Sequence, residues 1–188
     1  MTRQIYQIHI SLQGSKPNIW RRMLIKPDIT LVDFHRIIQT VMGWTNSHLH
    51  QFQKGHDSYS PIEFEVEDTK NSRKVKLNSL LKKEKDKIKY EYDFGDGWLH
   101  DIILEKVLPV DKTMQIPSCV DGKGNCPPED CGGIWGYEEI KTILSNPKHK
   151  QFEETMEWIG EEFDPDYFDK KEINEMLKYP DYGCIWIE

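Results

Sequence analysis

"IKYEYDFGDGWLHDIILEKVL", residues 88 to 108, is the stretch on which the fold turns. Two runs of alternating apolar and polar residues flank a glycine-rich centre, the pattern of a β-hairpin. Ile88, Tyr90, Tyr92 and Phe94 share one face of the first strand. The length of the turn then decides which residues meet. A two-residue loop, Asp96-Gly97, sets Tyr92 against Asp101 and Ile88 against Glu105. A three-residue loop, Gly95 to Gly97, sets Phe94 against Trp98, Tyr92 against His100, Tyr90 against Ile102 and Ile88 against Leu104. The second register puts apolar opposite apolar and uses Gly97 as the left-handed residue, so it is the expected one. It turns Trp98 and His100 inward.

Upstream, Tyr6, Ile8, Ile10 and Leu12 alternate with polar residues and predict a strand with one buried face. "GSKPN" turns the chain, and Ile19 to Ile25 reads as the returning strand. Thr30 with Asp33 forms a capping-box pattern. Leu31, Phe34, Ile37, Ile38, Val41 and Met42 follow at helical spacing, and Gly43 stands where a helix ends. "HLHQFQK" (48 to 54) and "PIEFEVE" (61 to 67) read as two further strands, and "KKEKDK" (82 to 87) as a solvated turn. Downstream, residues 109 to 134 read as a long glycine- and proline-rich loop. Beyond it the chain reads as helical, with Glu138 and Glu139 in a first turn, Asn146-Pro147 opening a second helix and Asp169 with Glu172 opening a third. The tail "CIWIE" reads as a short strand.

These segments predict one α+β domain over residues 1–188. Residues 1–108 form a sheet-rich core, a mixed β-sheet with one crossing helix in a β-grasp-like arrangement, extended by the long hairpin. Residues 135–188 supply C-terminal helices packed on the sheet. With 37% apolar and 30% charged residues, 188 residues are enough for one real core. No apolar run is long enough for a membrane span, and the polar, alternating start is not a signal peptide, so a cytoplasmic chain is expected. The net charge of -7 argues against general DNA binding.

Taken together, "SKPNIWRRMLI", "LVDFHRIIQTVMGW" with "HLHQF", "YEYDFGDGWLHDIILE", "CPPEDCGGIWGYEEI" and "WIGEEFDPDYFD" resemble the plasmid pRiA4b ORF-3-like family, in order and over nearly the whole chain. Members of that family also go by insertion-element passenger protein, and some by a resolvase-type name. The resemblance implies one α+β domain and an association with plasmids and mobile elements. It carries no established activity across. A serine recombinase needs a nucleophilic serine amid arginines and a basic DNA-binding domain, and Ser15 with Arg21 and Arg22 does not amount to one.

The chemistry-bearing residues lie mostly around residues 93–135. Cys119, Cys126 and Cys131 have three readings: ligands of a zinc ion, reduced thiols that fill space in a loop ordered by Trp135, Tyr137 and the prolines, or a disulfide. A zinc ion needs a fourth ligand, with His100, His48, His50 and Cys184 available. His100 alone also reads as a core histidine bonded to a hydroxyl or carbonyl. Asp93 and Asp96 are two nearby carboxylates able to hold a divalent cation or to work as acid and base, or else a strand residue facing out and a turn aspartate. Glu129 and Asp130 either join a metal site or cap the turn that follows. His48 and His50 share one strand face. Arg21 and Arg22 fall on opposite faces, one solvated and one ion-paired. Trp44, Trp98 and Trp135 read as core packing, and Trp98 and Trp135 also as site-lining.

Two function classes follow. One is a non-enzymatic binding or adaptor domain for a protein, peptide or nucleic-acid partner. The other is a metal-binding protein or metal-dependent enzyme, with zinc at Cys119, Cys126, Cys131 and His100.

Overall fold

The hairpin forms, and its register differs from the expected one by two residues. In the computed structural model, which describes residues 4–110, 113–160 and 163–184, Tyr92 pairs with Trp98, Tyr90 with His100 and Ile88 with Ile102. Asp93 takes a left-handed conformation, φ 56°, and leaves the ladder there. Its carboxylate accepts from the Gly95 amide at 2.9 Å, and its carbonyl accepts from the Gly97 amide at 2.7 Å. The loop therefore runs from Asp93 to Gly97. A slip of two preserves which face each side chain takes, so Trp98, His100, Ile102 and Leu104 still point inward, buried to 1% or less. Phe94 alone loses its place and is partly exposed.

In chain order the elements are β1 (Gln4–Leu12), β2 (Trp20–Ile25), α1 (Leu31–Met42), β3 (His50–Lys54), β4 (Asp57–Ser60), β5 (Thr69–Asn71), α2 (Leu77–Leu80), β6 (Lys87–Tyr92), β7 (Trp98–Pro109), β8 (Ser118–Lys123), α3 (Gly133–Leu144), α4 (Phe152–Ile159) and α5 (Lys170–Met176). The eight strands make one sheet in the order β5-β4-β3-β6-β7-β1-β2-β8. Every neighbouring pair is antiparallel except β4 with β5. Of the expected β-grasp-like arrangement, these pairings give the coarse part: a helix against a mixed sheet.

That helix, α1, forms where its caps and stripe predicted. Thr30 Oγ accepts from the Asp33 amide, and Gly43 closes the other end at φ 98°. Leu31, Phe34, Ile37, Ile38, Val41 and Met42 are all buried, against inward residues of β1, β2, β3, β6 and β7. Phe34 stacks on Phe52 of β3 with ring centroids 5.7 Å apart. Among the described residues no helix is long and apolar enough to cross a membrane.

Other expectations change. The segment 61–67 is not a strand. The chain pairs earlier, at Asp57–Ser60, and then makes a 3-10 turn at residues 62–64. Ile62 stays 64% exposed, so its alternation with Phe64 is not a buried face. The long loop contains β8, held on one side by β2. On the other side, Asn174 of α5 accepts from the Cys119 amide and donates to its carbonyl, both at 2.8 Å. Because α3 begins at Gly133, Glu138 and Glu139 lie beyond its first turn. Asn146 accepts from the Lys148 amide in a local turn, and α4 begins only at Phe152. Asp169 caps α5 as expected, accepting from Lys171 and Glu172. The tail strand falls on residues 185–188, outside the described residues.

Arg22 forms the expected ion pair, with Glu105 at 2.7 Å. Arg21 is not solvated. It is 3% exposed and donates to the carbonyls of Val41, Trp20 and Lys123, with its guanidinium over the Phe168 ring.

Candidate functional site

Two polar residues interrupt the apolar face of α1, four positions apart: His35 and Gln39, both buried. That spacing puts them on one side of the helix, aimed at the sheet. Tyr90, inward on β6, meets both. Its hydroxyl lies 2.8 Å from His35 Nδ1 and accepts from Gln39 Nε2 at 3.0 Å. His35 Nε2 lies 2.7 Å from Asn46 Oδ1. An amide oxygen only accepts, so Nε2 carries the proton and Nδ1 accepts the Tyr90 hydroxyl. Asn46 is fixed in turn by its amide, which donates to Gln39 Oε1.

His50 of β3 lies flat on this network. Its ring stacks on His35 with centroids 3.4 Å apart and planes 7° from parallel, and Phe64 meets it edge-on. Burial holds His35 down to about 4 and His50 well below the usual histidine range, so both are neutral at pH 7. His50 Nδ1 is buried and has no hydrogen-bond partner among the described residues.

Both rings border a cleft of about 700 Å³. One wall is α1, with Thr30, Val32 and Arg36; the other is the turn carrying Pro61, Glu63 and Phe64, with Arg73 beside it. Residues 46–49 form the remaining side. Arg36 pairs with Asp33 and Asp181, and Arg73 with Glu63, so the cleft is polar at the rim without a strong net sign.

At the rim stands His48. It precedes β3, so it does not share a strand face with His50 as the sequence suggested. Its Nδ1 lies 3.7 Å from Asp93 Oδ2 and its Nε2 3.3 Å from Asp130 Oδ1. Glu129, next to Asp130, is neither a turn cap nor bound to this histidine. Its carboxylate accepts from the Thr45 amide and hydroxyl, from Ser47 Oγ at 3.2 Å and from the Tyr92 hydroxyl at 2.6 Å. Glu129 thus ties the cysteine loop to the segment after α1 and to β6, and burial with this contact pushes the Tyr92 hydroxyl up. Glu129→Ala strands the Thr45 amide and removes an acceptor from Tyr92. A loss of roughly 2 kcal/mol in urea unfolding is expected, with Glu129→Gln retaining about half.

The cysteines are not gathered with His100. β8 carries Cys119 to the sheet edge, opposite Met23 of β2, whereas His100 stands on β7. Two strands, β2 and β1, lie between, a separation of roughly 14 Å at the usual strand spacing. Cys119, Cys126 and Cys131 form no disulfide. Burial raises them, Cys119 to about 11, Cys131 to about 12 and Cys126 well above the ordinary value, so they stay protonated. Cys119 and Cys126 are buried and Cys131 is half-buried. Among the described residues, one set of three or more metal-ligating groups comes within 4.8 Å: His48, Asp93 and Asp130.

His100 is fully buried, its Nδ1 at 3.0 Å from the Trp98 carbonyl and its ring against Trp44 and Tyr90. Asp96 accepts from the Gly132 amide and joins the hairpin loop to the start of α3. Gly133 is pressed there onto the Asp96 carbonyl, where a Cβ would come within 2.3 Å. Trp44 and Trp98 pack in the core, but Trp135 is 85% exposed. Tyr137, 1% exposed, fills the place expected of it.

A profile of the plasmid pRiA4b ORF-3-like proteins matches residues 4–172. The chain belongs to the plasmid pRiA4b ORF-3-like family. A curated relative, the uncharacterised protein y4hQ of Sinorhizobium fredii, is 37% identical over 162 residues, covering 85% of this chain and 83% of that protein. The crystal structure of a protein of unknown function from Methanosarcina mazei, MM3350, is 36% identical with a TM-score of 0.83, over 91% of this chain and 98% of that one. The pRiA4b ORF-3-like match thus spans the sheet, α1, the whole cysteine loop, α3 and α4. Sequence reasoning missed His35 and Gln39 in it. Their signal was present: polar residues four apart within an apolar helical stripe.

Proposed function

We propose that this pRiA4b ORF-3-like chain is a non-enzymatic binding domain, and that the cleft between α1 and the 61–64 turn receives a partner's peptide segment. The observation that carries this reading is the His35–His50 stack at the cleft wall. Neutral and buried, the two stacked rings stiffen the cleft wall, with His50 Nδ1 left unpaired just beneath it, and neither is poised to exchange protons at pH 7. The cleft's size and its apolar walls, Val32, Leu49, Pro61 and Phe64, suit a side chain or two from such a segment. Its near-balanced charge fits a peptide better than a phosphate backbone.

A library of short peptides titrated into ¹⁵N-labelled protein tests this. Chemical-shift changes are expected to cluster at Val32, His50, Phe64 and Arg73, and to vanish in His50→Phe, whose remaining spectrum reports that the fold is intact. Shifts that cluster elsewhere, or that persist undiminished in His50→Phe, would overturn the reading.

A further inference from the structure

We infer that His48, Asp93 and Asp130 form a binding site for one first-row divalent cation at the cleft rim. Three segments distant in sequence deliver these groups: the approach to β3, the hairpin loop and the cysteine loop. Their ligand atoms lie within 4.8 Å of one another. A cation with bonds of about 2.1 Å to nitrogen and oxygen places neighbouring ligands roughly 3.0–4.2 Å apart, so small side-chain rotations close the shell.

The second observation is the imidazole itself. The His48 side chain is 25% exposed and that of Asp130 74%, yet His48 Nε2 itself is screened from solvent and, although 3.3 Å from the Asp130 carboxylate, makes no hydrogen bond among the described residues. A buried ring nitrogen beside a carboxylate, with no proton geometry joining them, suits a shared metal better than a direct contact. Two carboxylates and one imidazole match the charge and hardness of Zn²⁺ or Mn²⁺. Glu129 does not compete, because Thr45, Ser47 and Tyr92 hold its oxygens. Three protein ligands leave coordination positions for water or for a group in the cleft. The site stands independently of what the cleft binds.

The test is calorimetric titration of the chelator-treated full chain with ZnCl₂ and, separately, MnCl₂. One site per chain is expected. Asp93 and Asp130 both have left-handed backbones, φ 56° and 57°, a conformation asparagine adopts as readily. Asp93→Asn and Asp130→Asn should therefore keep the fold, as the ¹⁵N spectrum would report, and weaken binding at least tenfold each. His48→Ala should do the same. The triple variant Cys119→Ser, Cys126→Ser, Cys131→Ser should bind as the unaltered chain does. Mn²⁺ should broaden the His48 ring resonances before those of His50. No binding at millimolar metal, or binding lost in the cysteine variant and kept in the aspartate variants, would overturn the assignment. Peptide binding unaffected by metal would leave the cleft reading standing on its own.

Discussion

Acidification from pH 6.5 to pH 4 is expected to remove most of the protein's stability. Two histidines decide this. His35 and His100 are buried and neutral, and burial holds each at about 4. In the unfolded chain both titrate near the ordinary value of about 6.5. Between those values the unfolded chain binds protons that the folded chain refuses, so stability falls as pH falls. The loss is roughly 3 kcal/mol for each ring by pH 4, with His50 adding in the same direction. Domains of this size hold about 5–15 kcal/mol in total. Urea unfolding followed by tryptophan fluorescence at pH 7, 6, 5 and 4 reads the effect. In His100→Asn the slope should shrink by roughly one such contribution. Stability that stays level from pH 6.5 to pH 4.5 would show that these rings are solvated.

Arg21→Ala should be the most damaging single substitution among those considered, with a loss of roughly 3–5 kcal/mol. The guanidinium is buried with three backbone carbonyls as its acceptors: Val41 at the end of α1, Trp20 of β2 and Lys123 of β8. Val41 lies in the last turn of α1, where the helix dipole favours a cation. Its removal leaves buried acceptors unmet at the junction of helix, sheet and edge strand, and leaves Phe168 without the plane it covers. Arg21→Lys should recover less than half, because one ammonium does not span three acceptors in the guanidinium's geometry. Urea midpoints for the three proteins, at unchanged slope, measure this. A loss under about 1 kcal/mol for the alanine variant would mean that water serves those carbonyls as well as Arg21 does.

Helix α1 was readable residue by residue, because its caps and its apolar spacing are local. The inward faces of the hairpin were readable for a different reason: an error of two in register leaves the parity of a strand unchanged. The loop length was not readable. It depends on Asp93 leaving the ladder and accepting from Gly95, which alternation does not encode. Strand β8 was hidden because "SCVDGK" has no alternation; β2 and Asn174 make it a strand. In the candidate site, His48, Asp93 and Asp130 each stood out as residue types, but not as one set. Asp130 comes from a loop 37 positions beyond Asp93, and only the folded chain shows the approach. The cysteines drew attention to their segment, but its cross-link is the carboxylate of Glu129.

The position of β1 has a bearing on how this chain is made. It is synthesised before the strands it pairs with, yet it lies deep in the sheet, with β2 on one side and β7 on the other. Its second neighbour is Trp98–Pro109, some ninety residues later. During synthesis, a nascent chain on the ribosome therefore carries β1 with one long side bare until that strand emerges, several seconds at ordinary elongation rates. Those open backbone groups invite other extended chains. A message that ends early, or a ribosome that stalls before Pro109, releases a sticky fragment rather than a smaller folded unit.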